Sequence, residues 1–151
     1  MKIKGIWLYG YSGVGKTYIS HNLKKKIKNP IIIDGDFVRK YISFDLDYSL
    51  KSRKIQIQRL LGIAKLVIDS NYFPIISCVY LDESTYKDAK RNELLVVEVL
   101  RPEEKYLSKN TYKRNKKNVV GLDIAMPILP SKKLRNIDIN SWKKILEIIA
   151  K

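Results

Sequence analysis

Apolar positions along this chain fall into short blocks, and the polar stretches between them follow a different rhythm. Ile3, Ile6, Trp7, Leu8 and Tyr9 form a compact run that ends at Gly10. Similar runs occupy Ile31-Ile32-Ile33 ending at Asp34, Phe73 to Val79, and Leu94 to Leu100. Short, mostly apolar runs of this length predict strands buried on both faces, as in a parallel sheet. Between the second and third runs, Ile57, Leu60, Leu61, Ala64, Val67 and Ile68 recur at steps of three and four, which predicts a helix with one buried face. Lys16 to Lys28, Ser84 to Arg91 and Ser141 to Ala150 are further predicted helices, the last capped by Ser141. Strands that alternate with helices predict an α/β fold: a parallel sheet flanked by helices in a three-layer sandwich, with right-handed crossovers. Ligands of such sheets bind at the carboxyl ends of the strands, so functional residues are expected just after each apolar run.

The length of 151 residues leaves room for one compact domain spanning 1–151, and a hydrophobic content of 45% suits a globular fold. The apolar runs fall far short of the roughly 20 residues that cross a bilayer. Met1-Lys2-Ile3-Lys4 leads straight into the first strand without the apolar stretch and cleavage site of a secretory signal, so a cytoplasmic location and no membrane contact are expected. Cys78 is the single cysteine, which excludes an internal disulfide and a thiolate cluster; its apolar surroundings predict a packed thiol. The charge changes the picture more. Thirty Lys and Arg against 15 Asp and Glu give a net +15, a surface that draws anions without choosing between ATP, a sulfated nucleotide, RNA and an acidic lipid. One basic cluster, Lys24-Lys25-Lys26-Ile27-Lys28, reads as a solvated face; the other is Lys113-Arg114-Asn115-Lys116-Lys117.

Gly10-Tyr11-Ser12-Gly13-Val14-Gly15-Lys16-Thr17 satisfies G-x-x-x-x-G-K-[ST] at every specified position, after a predicted strand and before a predicted helix. Glycines let backbone N–H groups of Ser12, Gly13, Val14 and Gly15 wrap a phosphate, and the helix that follows aims its positive end at the same anion. Lys16 is the expected bridge to the β- and γ-phosphates of ATP, and Thr17 the expected hydroxyl ligand of Mg²⁺. This P-loop identifies a nucleoside triphosphate site without separating kinases from GTPases, ATPases or helicases. The second strand ends in Asp34-Gly35-Asp36-Phe37-Val38-Arg39. A carboxylate there can hold the water shell of a metal or take a proton from an attacking hydroxyl, and an arginine one turn on can clamp an anionic group. The N-K-x-D base-reading motif of a GTPase is absent.

From the phosphate loop through Lys65 the sequence resembles adenylylsulfate kinase, which adds a 3′-phosphate to adenosine 5′-phosphosulfate using ATP. GYSGVGKT, IDGDFVRK, and Asp45-Leu46-Asp47-Tyr48-Ser49 followed by Arg53, Gln56-Ile57 and Arg59 carry the resemblance. It resumes at Tyr112-Lys113 and Val119-Val120-Gly121-Leu122-Asp123, with Pro130 beyond. The resemblance implies a P-loop kinase with Asp36 as catalytic carboxylate and Asp34 beside the metal. It implies Arg39 and Arg53 on the anionic end of the acceptor, and Tyr48 and Gln56 on its nucleoside. Arg53, Gln56 and Arg59 are spaced by three along a helix, within one face of about 120° that could point at a single ligand. The family also places a mobile lid over both substrates, here Leu107 to Asn118, with Lys109, Lys113 and Arg114 as closing cations, Lys109 toward ATP and Lys113 toward the acceptor. Family members are often dimers, which makes a homodimer possible here.

Departures from the family cluster on the acceptor side. The family's lid arginine is missing before Tyr112, the two phenylalanines that sandwich the acceptor's adenine are matched by Tyr48 and Val119, and the neighbouring asparagine is matched by Gln56. The strand-three motif F-I-S-P appears as Cys78-Val79-Tyr80-Leu81. Replacing one aromatic wall by valine removes stacking surface. A relative of the family, cytidine diphosphoramidate kinase, phosphorylates a cytidine nucleotide, and the smaller base suits such a pocket. The expected activity is therefore transfer of the γ-phosphoryl of ATP to the ribose 3′-hydroxyl of a small nucleotide, either adenosine 5′-phosphosulfate or a cytidine nucleotide. No nucleic-acid partner is expected; an RNA-end kinase, suggested by the charge, and a nucleotide binder without turnover are the competing readings.

Overall fold

The computed structural model describes residues 2–102 and 117–151. In chain order they form β1 (Gly5–Tyr9), α1 (Lys16–Lys24), β2 (Pro30–Asp34), α2 (Gly35–Tyr41), α3 (Leu50–Asp69), β3 (Phe73–Cys78), α4 (Glu83–Arg91), β4 (Leu94–Leu100), β5 (Lys132–Arg135) and α5 (Lys143–Ile149). The five strands make one sheet in the order β2-β3-β1-β4-β5, and every neighbouring pair is parallel. The α/β sandwich expected from the alternation of runs is thus the fold observed.

Side chains on β1 alternate between two cores, as the two-residue period of a strand requires. Trp7 and Tyr9 pack with Val38 of α2, with Ile57, Leu60 and Ala64 of α3, and with Ala89 of α4. Ile6 and Leu8 face the opposite layer, against Ile19 and Leu23 of α1 and Ile145 of α5. All five β1 residues are buried, because β1 lies between β3 and β4 under helices on both faces. The topology switches at β1: the chain goes from β1 outward to β2, returns to β3, then crosses to β4 on the other side. Such a switch opens a crevice at the carboxyl ends of the central strands.

Several elements differ from the expectation. Helix α1 stops at Lys24 rather than Lys28: the Leu23 carbonyl accepts from the N–H groups of both Lys26 and Ile27, and Asn29 turns into the left-handed region at φ 50° just before Pro30. Helix α3 begins at Leu50, one residue after Ser49, whose side chain caps it by accepting from the Ser52 N–H. Ser141 does not cap α5. Its Oγ accepts from the Ile137 and Asp138 N–H groups, closing the preceding turn, and the helix starts at Lys143. Strand β5 has no apolar run to announce it, since Leu134 alone of its four residues is buried; charged residues protect this sheet edge from further pairing. Helix α2 was equally silent, burying only Gly35 and Val38. The expected lid cations Lys109, Lys113 and Arg114 lie outside the described residues.

Candidate functional site

The turn from β1 into α1 depends on glycine at two positions. Gly10 has φ 146° and a side chain there would run into the Val99 carbonyl of β4; Gly15 has φ 99° and is pressed against the Asn136 side chain. Asn136 follows β5 and is buried. Its backbone N–H donates to the Leu100 carbonyl at 2.7 Å, and its Nδ2 donates to the Val14 carbonyl at 2.7 Å. The ends of β4 and β5 therefore brace the phosphate loop from behind. Val14 packs its side chain into the core with 1% exposure, so it contributes backbone to the loop. Lys16 opens α1, is itself buried, and donates from Nζ to the carbonyls of Gly10 at 2.7 Å and Tyr11 at 2.8 Å.

In front of this loop lies a cavity of about 1020 Å³. Ser12, Gly13, Gly15, Lys16 and Thr17 form one wall, Asp34 and Asp36 the floor beside it, and Arg39, Tyr48, Arg53, Gln56 and Val119 the far side. A volume of this order accommodates a drug-sized ligand with room to spare, enough for two nucleotides in part-enclosed poses. Among the described charged residues lining it, Lys16, Arg39, Arg53, Arg101 and Lys117 outnumber Asp34, Asp36 and Asp47, so the crevice concentrates positive potential where anions would enter.

Asp34 ends β2 and caps α2: its Oδ1 accepts from the Asp36 and Phe37 N–H groups at 3.0 Å each, and its Oδ2 accepts from Ser77 Oγ on β3 at 3.0 Å. That fixes the carboxylate next to the phosphate loop and leaves the Asp36 carboxylate, in the first turn of α2, facing the cavity. Thr17 and Asp34 offer the hard oxygens that Mg²⁺ prefers. No cluster of three or more acidic, histidine or cysteine residues that could hold a metal ion is present among the described residues.

On the far side, Arg39 Nη1 donates to the carbonyl of Asp47 at 2.6 Å, and its guanidinium carbon lies 4.6 Å from the centre of the Tyr48 ring. Arg53 donates from Nε to the Tyr48 carbonyl at 3.1 Å and from Nη2 to the Asn118 carbonyl at 2.7 Å, with its guanidinium 5.6 Å from the same ring. Burial, and then the neighbouring Arg39, pulls Arg53 below the ordinary arginine value. Asp123 accepts from the N–H groups of Asn118 and Val119, which holds its carboxyl below the usual range and folds the loop so that Val119 is buried at the cavity wall. Gln56 is 4% exposed; its Nε2 donates to the Gly35 carbonyl at 3.1 Å, which fixes the amide orientation, and its Oε1 has no partner among the described residues. Asp47 is held down at about 2 by hydrogen bonds from the side chains of Ser49 and Ser52 and from the Ser49 backbone.

Arg59 is the exception to the shared helix face. It forms a two-pronged pair with Asp45, Nη1 to Oδ1 at 2.6 Å and Nη2 to Oδ2 at 2.8 Å, and takes no part in the cavity. Steps of three on a helix drift backward by about 60° each, so Arg59 ends well round from Arg53, within reach of the loop that carries Asp45. Gly10 and Val14 also stand outside the large cavity, lining a small cleft behind the loop. Conversely, the structure brings to the site or its support Ser77, Arg101 and Asn136, which the sequence did not single out, and Asp47 and Lys117, which it offered only within a longer motif and a basic cluster. Arg101 directly follows the apolar run of β4, so the rule of looking at strand ends points to it; Asn136 was hidden because β5 has no such run.

Similarity to known proteins agrees with this arrangement. The family model described as adenylylsulphate kinase matches residues 2–121. The adenylyl-sulfate kinase of Rippkaea orientalis is 33% identical over 96 residues, covering 60% of this chain and 51% of that protein. That of Buchnera aphidicola is 29% identical over 96 residues, covering 61% and 44%. The chain thus spans about half the length of the curated relatives it matches. Among solved structures, the APS kinase CysC of Mycobacterium tuberculosis, in complex with AMPPNP and APS, superposes with a TM-score of 0.84 at 19% identity over 99% of both chains, a likeness of fold. The phosphate loop, the capped Asp34–Asp36 corner and a family match running from residue 2 to 121 lead to one conclusion: the chain belongs to the adenylylsulphate kinase family.

Proposed function

We propose that this protein is an ATP-dependent kinase that transfers the γ-phosphoryl group to the ribose 3′-hydroxyl of a small nucleotide, with adenosine 5′-phosphosulfate as acceptor. The observation that carries this reading is one cavity with the phosphate loop on one wall, Asp36 on the floor beside it, and Arg39, Arg53 and Gln56 on the far side. Two anionic substrates can meet there. Ser12, Gly13 and Gly15 offer backbone N–H groups to the ATP phosphates, with Gly10 and Val14 setting the shape of the turn; Lys16 moves from the loop carbonyls to the β- and γ-phosphates. Thr17 and Asp34 are the residues that would hold Mg²⁺, Thr17 directly and Asp34 through its water shell. When bound, the ion neutralises charge on the phosphates of the donor.

The acceptor lies between α2 and α3. Arg39 and Arg53 take its phosphosulfate end, where the planar guanidinium suits paired oxygens. Tyr48 and Val119 flank its base, and Gln56 Oε1, which has no partner among the described residues, accepts from an N–H or O–H of the nucleoside. Asp36 accepts the proton of the attacking hydroxyl on its carboxylate as the oxygen–phosphorus bond forms and the bond from the γ-phosphorus to the β-phosphate oxygen breaks, with ADP as the leaving group. Most of the acceleration comes from holding donor and acceptor in line and from cations around the transferring group. Lys109 and Lys113 belong to the same reading as lid cations.

A second acceptor, a cytidine nucleotide such as cytidine diphosphoramidate, is favoured by one feature: Val119 offers an aliphatic wall opposite Tyr48, and both adenine and cytosine carry the amino group that Gln56 Oε1 would accept from. Steady-state assays with each acceptor decide between them. A kcat/KM for adenosine 5′-phosphosulfate at least tenfold above that for the cytidine nucleotide supports the first; the reverse order replaces it with the second. Transfer that persists in Asp36→Ala would remove Asp36 from its role.

A further inference from the structure

Resting on the reading above, we propose that Arg101 is a second cation of the donor site, contacting the β- and γ-phosphates of ATP beside Lys16. Strand β4 pairs with β1 so that Glu98 lies level with Tyr9, which carries the end of β4 alongside Gly10. Arg101 comes immediately after that strand and is followed by Pro102, whose ring disfavours helical backbone in the residue before it. Its backbone position is therefore defined by the sheet on one side and by proline on the other.

The side chain occupies the seam between two spaces. It lines the large cavity together with Ser12, Gly13 and Lys16, and also the small cleft formed behind the loop by Gly10, Tyr11 and Val14. Its Nε is buried and has no hydrogen-bond partner among the described residues. Buried polar atoms in native proteins are almost always paired, and an unmet donor on a cation calls for an anionic oxygen. Two of the three such atoms found, Arg101 Nε and Gln56 Oε1, belong to this one cavity, and they are opposite in kind: a donor beside the phosphate loop and an acceptor on the nucleoside side. The pair matches a ligand set with phosphate oxygens at one end and an N–H at the other. Asn136 bonds both the carbonyl of Leu100, the residue before Arg101, and the Val14 carbonyl at the back of the loop, so Arg101 and the loop share one support.

Calorimetric binding of ATP and of AMP, each with Mg²⁺, to the full chain and to Arg101→Gln and Arg101→Lys tests this. Loss of a charge-assisted contact to phosphate is expected to weaken ATP binding by about tenfold or more in Arg101→Gln, with partial recovery in Arg101→Lys. AMP, which lacks the two phosphates concerned, should bind both variants within about twofold of the unaltered protein. Equal losses for ATP and AMP would assign Arg101 a structural part and overturn the proposal, as would unchanged ATP affinity in Arg101→Gln. These arms are independent of turnover. ATP binding that falls in Arg101→Gln while no nucleotide acceptor is phosphorylated by the unaltered chain would sustain Arg101 and sink the kinase reading; transfer with ATP affinity indifferent to Arg101 would do the opposite.

Discussion

Single side chains account for how the phosphate loop is held. Asn136 gives its only described side-chain bond to the Val14 carbonyl and sits where a side chain on Gly15 would fall. Asn136→Ala deletes the brace while leaving every loop residue in place, so ATP affinity should fall by roughly tenfold, the equivalent of one hydrogen bond of about 1 kcal/mol together with some loosening of the loop. Titration with a fluorescent ATP analogue reads this; unchanged affinity would show that the loop holds its shape without β5. Cys78 presents the opposite case, a residue at the cavity edge with no chemical part. It receives the Trp7 Nε1–H at 3.1 Å and donates to the Tyr80 carbonyl at 3.2 Å, and burial pushes its thiol up to about 11. The thiol is therefore neutral at pH 8, and alkylation by iodoacetamide should be slow there, rising only as the pH approaches 11 or the chain unfolds. Rapid labelling at pH 8 would contradict the packed state. The positions of Asp36 after an apolar run and of Cys78 within one were legible from the sequence, and that of Lys16 from the glycine-loop motif; Asn136 was not, because a charged edge strand carries no such signature.

Elements decide which of the predicted helix-borne residues meet. The α3 periodicity was clear from Ile57 to Ile68, but its start at Ser49 depends on a cap, and the direction of Arg59 depends on a loop carboxylate that periodicity does not reveal. Arg53 and Arg59 sit on one helix with different fates: one tied to Tyr48 and Asn118 at the cavity, the other to exposed Asp45. Arg53→Ala should reduce kcat/KM for the acceptor by about a hundredfold or more, since it removes a charged contact and releases the Asn118 turn. Arg59→Ala should leave the rate within about twofold and lower Tm only slightly, as exposed ion pairs contribute little. Equal effects of the two substitutions would contradict this division of the helix. The turn before α3 adds a pH dependence. Asp47 is held at about 2, below its ordinary 3.8, so its stabilising bonds with Ser49 are complete above the ordinary value and are lost as the pH falls through about 2. Asp47→Asn should flatten the fall of Tm in that acid window and leave the melt near neutral pH similar in slope; an unchanged acid limb would place the sensitivity elsewhere.

At the scale of the whole molecule, a parallel sheet with its switch at β1 gathers residues at the ends of four strands, β1 to β4, into one crevice, while Asn136 after β5 braces the loop from behind. That gathering explains why the sequence disclosed the phosphate loop itself but neither Arg101 nor Asn136 beside it, and the far side of the cavity only in part. The phosphate loop is a local motif, whereas Val119 and Gln56 reach the same cavity only through tertiary structure, the Arg53–Asn118 bond across the fold joining their segments and the local Asp123–Val119 bond shaping the turn. The net charge of +15 draws anions generally, and the cavity gathers five of those cations, Lys16, Arg39, Arg53, Arg101 and Lys117, around one crevice. The central claim is that the γ-phosphoryl of ATP ends on the ribose 3′-oxygen of a small nucleotide. Incubation with γ-labelled ATP, Mg²⁺ and adenosine 5′-phosphosulfate or cytidine diphosphoramidate, with the product resolved by ³¹P NMR, tests it directly. The account predicts label on a 3′-phosphomonoester of one acceptor, abolished in Asp36→Ala. Label released only as inorganic phosphate, with both acceptors unmodified, would contradict it.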